Sequence, residues 1–291
     1  MRDYVIATES NADLDANFIA ENNICVIPHY YTIEEEQYGG GKELPIHEFY
    51  DALREKKKAA TMASNPAVIQ EKFSAIAESG RDILFVSFSS ALSGGYNNIC
   101  MGAETIMEEY PGSKVLVVDS LSASVGEEIL IRKALEARSA GKTIDEAAEI
   151  LRGLVPHICV QFTVDDLFHL QRGGRVSKTV AAVGTVVNLK PILYINDEGK
   201  LVSLGTVRGR KKSIHTLVKN MEERIGSFSS SDSQPVVGVV HGDCEEEALK
   251  LKEMIEEKFH FERIVVKQIG PSIGVHSGPG TLGILFLGEH K

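Results

Sequence analysis

Three short stretches of the chain collect residue types able to hold an anion, and each falls where an apolar, strand-like run ends. Thr61-Met62-Ala63-Ser64-Asn65-Pro66 stands directly before a helical pattern. Ser89-Ser90-Ala91-Leu92-Ser93-Gly94-Gly95-Tyr96 lies between a buried-type run at 83–88 and a helical pattern through Met107. The third, residues 270–280, combines glycines and prolines with Ser272, His276 and Ser277. In an open α/β sheet, ligands bind beyond the carboxyl ends of the strands. A helix N-terminus there presents unpaired N–H groups and the positive end of a dipole to an anion. Ser93 with Gly94 and Gly95 fits such a cradle, because glycine admits close approach of the backbone. A plainer role competes in every case. Hydroxyls ahead of helices commonly serve as N-caps, and loop glycines commonly serve turn geometry. A lone histidine such as His276 in a glycine-rich loop is more often structural.

Catalytic templates fare poorly. Gly270-Pro271-Ser272-Ile273-Gly274 matches the nucleophile elbow in letters, but the elbow needs a helix after its serine and more glycine and proline follow here. Only His276, His290 and Glu289 lie downstream as partners, so a triad in hydrolase order is not expected. Residues 278–283 match a dinucleotide fingerprint without a preceding strand or the length for a βαβ unit. There is no Walker A sequence, no helical HExxH and no CxxC, so no nucleotide, metal or other cofactor is expected. Two basic clusters, 172–178 and 208–212, read first as solvated helix ends. In a chain of net charge -10 they are also candidates for a local docking point for a phosphate or an acidic partner.

The elements that must position these residues alternate between short apolar runs and helical patterns, the mark of α/β architecture. Strands are expected at 5–8, 24–28, 83–88 and 115–118. Helices are expected around Phe49, Tyr50 and Leu53, and after the Asn65-Pro66 cap, where Ile69, Phe73 and Ile76 share a face. Thr143 and Glu146 form a capping box for the helix through Leu154. After Pro156 the pattern changes. Runs at 191–195 and 200–207 flank Asn196-Asp197-Glu198-Gly199 as a hairpin. Strands at 236–240, 264–269 and 282–287 then close the chain. Two α/β domains are expected, 1–156 around a mainly parallel sheet and 157–291 around a mixed sheet with flanking helices, the last segment packing back on the first.

The acidic balance argues against nucleic acid or an anionic membrane surface as partner. No apolar run is long enough to span a bilayer, and no signal peptide is expected before the strand at 5–8. Cys25, Cys100, Cys159 and Cys244 lie far apart without metal or redox spacing, as expected of reduced thiols in a cytoplasmic protein.

The order of motifs resembles the DegV family of bacterial proteins over nearly the whole chain. It runs through Thr8-Glu9-Ser10 with Ala12-Asp13-Leu14, where Glu9 replaces the usual aspartate, then Thr61-Met62-Ala63 and Ser89-Ser90 with Ser93-Gly94-Gly95-Tyr96. Asp119-Ser120, the clusters at 172–178 and 207–212, and Ile269-Gly270-Pro271 with Gly274, His276 and 278–280 follow in order. The resemblance implies a fatty-acid carrier rather than an enzyme, burying a long acyl chain such as that of palmitate or oleate in a tunnel. It implies that Thr61 and Ser93 bind the carboxylate, with Gly94 and His276 supporting the head group. It further implies a separate ATP-binding fatty acid kinase subunit that phosphorylates the carboxylate, with Arg175 and Arg208 contacting that partner or the phosphate. Two other readings remain: a phosphotransfer enzyme related to dihydroxyacetone kinases, and a serine hydrolase using Ser93 or Ser272 with His276.

Overall fold

Every residue of β1 (Tyr4–Glu9) is buried, and its alternating side chains serve two different cores. This computed structural model describes residues 2–165, 167–176 and 188–291. β1 is the second strand of a four-stranded parallel sheet, between β2 (Cys25–Ile27) and β6 (Asp82–Ser87), with β7 (Val115–Asp119) at the far edge. Val5 and Ala7 pack with Phe73, Phe85 and Ile99 under α3 (Pro66–Glu78) and α4 (Gly95–Glu109). Tyr4 and Ile6 point the other way, towards α5 (Val125–Ser139) and α6 (Ile144–Leu154). A strand buried on both faces has no need of polar alternation, which is why 83–88 reads as a continuous apolar run.

The second sheet has six strands in the order β10-β9-β8-β13-β11-β12. These are β8 (Ile158–Thr163), β9 (Leu189–Ile195), β10 (Leu201–Arg208), β11 (Val237–His241), β12 (Ile264–Gln268) and β13 (Leu282–Leu287). Only β11 and β12 run parallel; the remaining pairs are antiparallel. The expected parallel first sheet and mixed second sheet are therefore both present. α8 (Arg210–Ile225) and α9 (Glu245–Glu256) cover the outer face of the mixed sheet. α5 lies against its inner face as well as against β1 and β6, so one apolar core runs from Ile6 and Leu84 through Ile129 to Val160, Val240 and Leu285. α7 (Phe168–Arg172) follows β8.

A third, smaller sheet departs from expectation. β3 (Tyr30–Ile33), β4 (Glu36–Tyr38) and β5 (Ala59–Met62) form an antiparallel unit in the order β4-β3-β5, with α2 (Ile46–Arg54) packed on it through Phe49 and Tyr50. Thr61 thus sits on a strand, paired with Tyr31, and not in a pre-helical loop. The segment after β12 is also helical: α10 (Pro271–Ser277) starts with proline at its first turn, where the missing N–H costs nothing. That corrects the expectation of continued loop after Ser272. Gly274 permits the packing of α10, since a Cβ there would lie 2.8 Å from Phe49 Cε1 and 2.9 Å from the Tyr50 hydroxyl. Tyr50 also donates to Ile269 O at 2.8 Å, tying α2 to the approach of α10.

The short first helix, α1 (Ala16–Asn22), was not anticipated from sequence. No helix among the described residues is long and apolar enough to cross a membrane.

Candidate functional site

Three parallel strands end side by side in polar residues: Glu9 on β1, Ser87 on β6 and Asp119 on β7. Beyond them the loop at residues 88–94 folds over the strand ends. Asp119 Oδ1 accepts from the Ser90 and Leu121 N–H groups at 3.2 and 3.0 Å. Ser89 Oγ donates to Gly199 O at 2.8 Å, so the tip of the β9–β10 hairpin docks on this loop. Gly199 has φ +75°, and a Cβ there would come within 2.3 Å of Ser89 Oγ; this contact requires glycine.

Beside the loop lies a cavity of about 1050 Å³, its open side included. The inner face of the mixed sheet lines it with Val160, Phe162, Ile195, Val240 and Leu285. At the polar end stand Thr61, Ser93, Gly94, Arg175 and His276. Five of the six residues singled out from sequence therefore meet at one cavity. Arg208 is elsewhere: it lines a separate basic cleft with Arg210, Lys211, Lys212 and His215. Ser177 and Lys178 of the first basic cluster lie outside the described residues.

Thr61 Oγ1 and His276 Nε2 are 2.8 Å apart. Burial, with the charges of Arg175 and Arg172, pushes the His276 pKa down to about 4, so its ring is neutral at pH 7. If the ring carries its proton on Nε2, Thr61 accepts that proton and its own hydroxyl is free to donate into the cavity. Nδ1 of His276 is buried without a partner among the described residues and packs over Gly173, where a Cβ would approach to 2.4 Å. A triad histidine needs an acid on that nitrogen. Ser93 Oγ instead accepts the Gly95 N–H at 3.1 Å. Neither Ser93 nor Ser272 is paired with His276, and the hydrolase arrangement is not assembled.

Arg175 is half-buried, and burial lowers its pKa from the usual arginine value. Its Nε donates to Leu92 O at 3.2 Å and its Nη1 to Gly173 O at 2.5 Å, which fixes the guanidinium against the wall. Gly94 caps α4, and the place of its missing Cβ is open space. Gly95 is the crowded glycine: a Cβ there would lie 3.1 Å from Glu9 Oε1, 3.2 Å from Ser64 Oγ and 3.3 Å from Ser93 Oγ.

Under the polar end sits a network that sequence inspection missed. Glu9 accepts from Ser64 Oγ at 2.5 Å, Ser87 Oγ at 3.1 Å and Phe88 N at 3.2 Å, and pairs with His29 Nε2 at 2.9 Å. Burial alone would raise the Glu9 pKa. The hydrogen bond and charge of His29, with the Ser64 and Phe88 donors, outweigh it and hold the carboxyl below the usual range. Asn98 Nδ2 donates to Ser64 O at 2.9 Å, binding α4 to the same cluster. The Glu9 carboxylate thus joins β1, β6 and the segments carrying His29 and Ser64. A few residues on, Asp13 accepts from Ser124 Oγ and Gly270 N at 2.6 and 3.1 Å, and burial pushes its pKa up to about 6. Among the described residues, no group of three or more histidines, cysteines or acids could hold a metal.

The family model described as "Uncharacterised protein, DegV family" matches residues 3–289 of this chain. A DegV domain-containing protein from Clostridium perfringens (strain 13 / Type A) is 37% identical over 293 residues, spanning 100% of this chain and 99% of its own. A solved DegV family structure from Thermus thermophilus, described for its fatty acid binding, superposes with TM-score 0.86 at 26% identity, covering 99% and 100% of the two chains. DegV of Bacillus subtilis, described as a fatty acid binding protein, superposes with TM-score 0.85 at 25% identity and covers 99% and 100%.

Proposed function

The chain belongs to the DegV family, and from that premise we propose that it binds a long-chain fatty acid in the cavity between its two larger sheets. The observation that carries the reading is the cavity's polarity: aliphatic and aromatic side chains along its length, hydroxyls and a neutral imidazole at one end. The carboxylate is assigned to the Thr61 and Ser93 hydroxyls, with Gly94 and the α4 N-terminus beside them and His276 orienting Thr61. The solved relatives described as fatty acid binding support the assignment.

Energetics divide the work between the ends. Burying a methylene is worth about 0.8 kcal/mol, so a sixteen-carbon tail gains about 12 kcal/mol before ordering and association costs. Neutral donors add far less, yet they orient the head group without the tight fork an arginine would impose. A carboxylate so held stays available for reaction. We assign it to phosphorylation by an ATP-dependent kinase on another chain, this chain acting as carrier and not as catalyst. Arg175, beside the polar end, is placed to meet the transferred phosphate, and exposed Arg208, in its basic cleft, to meet the partner.

Calorimetric titration of delipidated protein with palmitate and oleate tests the first step. One site with a negative heat-capacity change is the expected result. No binding heat at any temperature would remove the reading. For the second step, Arg208→Glu is expected to abolish acyl phosphate formation in the presence of a fatty acid kinase subunit and ATP while leaving palmitate affinity intact.

A further inference from the structure

Most polar side chains that reach the cavity are already satisfied. Ser124 Oγ donates to Asp13, Thr281 Oγ1 has Ser277 O and Gly278 O at 2.9 and 2.8 Å, and His29 pairs with Glu9. Thr61 and Ser93 are engaged at the polar end as described. Three buried polar atoms of cavity-lining residues have no partner among the described residues: Asn11 Oδ1, Ser277 Oγ and His276 Nδ1. The last is packed against Gly173. The other two have no such explanation.

Both belong to deeply buried residues, Asn11 at 3% exposure and Ser277 at 5%. They come from neighbouring elements, the turn at Ser10–Ala12 and the last residue of α10, which pack on each other. A serine in a helix ordinarily returns its proton to the carbonyl four residues earlier; Ser277 does not. A buried acceptor and a buried hydroxyl without partners each cost free energy that an apolar residue would avoid. Leucine in place of Asn11 and alanine in place of Ser277 would make this wall suited to a plain hydrocarbon.

We propose that Asn11 and Ser277 form a subsite for a hydroxyl carried on the acyl chain, so that the preferred ligand is a hydroxylated long-chain fatty acid. The inference rests on the fatty-acid reading above and deepens it. A hydroxyl both donates and accepts. It can give its proton to Asn11 Oδ1 or take the proton of Ser277 Oγ, whereas a saturated or unsaturated hydrocarbon chain can do neither. The carboxylate keeps Thr61 and Ser93, and adjacent positions on α10 diverge by about 100°, so Ser277 addresses the cavity from a different side than His276. A site built to pair a ligand hydroxyl discriminates against the ligand that lacks it, because its own polar atoms are then left unpaired.

The test is a competition titration of delipidated protein with stearate and with hydroxystearates bearing the hydroxyl at carbons two, three, ten and twelve. At least one internal isomer is expected to bind about tenfold tighter than stearate. Asn11→Leu and Ser277→Ala are each expected to bring that ratio towards one. The ratio is the readout, so a general change of affinity in a variant drops out. If no isomer binds wild type more tightly than stearate, or if the preference survives both substitutions, the subsite is refuted. If stearate and every isomer fail to bind, the fatty-acid reading itself falls and the subsite with it.

Discussion

The two ends of the cavity are built on opposite plans. At the polar end nearly every group is held by another: Thr61 by His276, Ser93 by Gly95, Ser64 and Ser87 by Glu9. Along the apolar end, Val160, Phe162, Val240 and Leu285 contribute shape and apolar surface from a single sheet face. The first plan fixes geometry and contributes little net affinity, since each internal hydrogen bond replaces one to water. The second supplies affinity in proportion to area, with little directional preference. The carrier role proposed above would need both, kept apart.

Ligand length probes the apolar end with the largest expected effect. Decanoate lacks six methylenes of palmitate, a difference of roughly 5 kcal/mol, and should bind more than about a thousandfold more weakly by calorimetry. Equal affinities would mean that the head group dominates, reversing the comparison. At the polar end, Glu9→Ala strands the Ser64 and Ser87 hydroxyls, the Phe88 N–H and His29. A loss of about 3 kcal/mol of stability in urea unfolding at pH 7 is expected. Because its folded pKa is depressed, Glu9 stabilises the fold above its unfolded value and loses that contribution as pH falls through the folded pKa. The cost of Glu9→Ala should therefore shrink in acid.

His276 gives a second pH signature. Its ring is neutral in the folded protein down to about pH 4, while the unfolded chain takes a proton near 6.5. Stability associated with it is full above the unfolded value and declines as pH falls towards 4. Between pH 7 and 5, His276→Gln should lose about 2 kcal/mol less than wild type in urea unfolding. Smaller again, Thr61→Val and Ser93→Ala should each weaken palmitate binding by about 1 kcal/mol, read as a five- to tenfold rise in Kd.

The smallest effect is expected at Glu127. This carboxyl is fully buried in the first turn of α5, and neither oxygen has a partner within hydrogen-bonding geometry among the described residues. Burial, with the negative charges of Glu9 and Asp13, drives its pKa well above the usual range, and the nearby Ser124 N–H and Thr8 do not offset this. Burial thus favours its neutral form, and Glu127→Gln, a neutral isostere, should cost less than about 1 kcal/mol. A raised pKa also means that its contribution is present in acid and lost as pH rises through the folded value. A large cost for Glu127→Gln would show that the ionised form does structural work.

Much of the frame was legible because it is local. The capping box at Thr143 and Glu146 and the Asn65-Pro66 start are both formed, the latter with Asn65 Oδ1 accepting from Ala67 N. The β9–β10 hairpin closes where Asn196-Asp197-Glu198-Gly199 placed it. The small sheet escaped notice because β4 is Glu-Gln-Tyr and β5 is Ala-Ala-Thr-Met, neither of which alternates apolar with polar. α10 was hidden by its glycine and proline, which usually break helices but here begin one and allow close packing. The Glu9 network was beyond reach, since His29, Ser64 and Ser87 stand 20, 55 and 78 residues away in the chain. Only the fold brings them to one carboxylate.

Native mass spectrometry of the purified chain, followed by denaturing extraction of what it carries, tests the central claim most directly. The account predicts one fatty acid per chain, released on denaturation. A chain that is empty and also refuses added palmitate and oleate would contradict it.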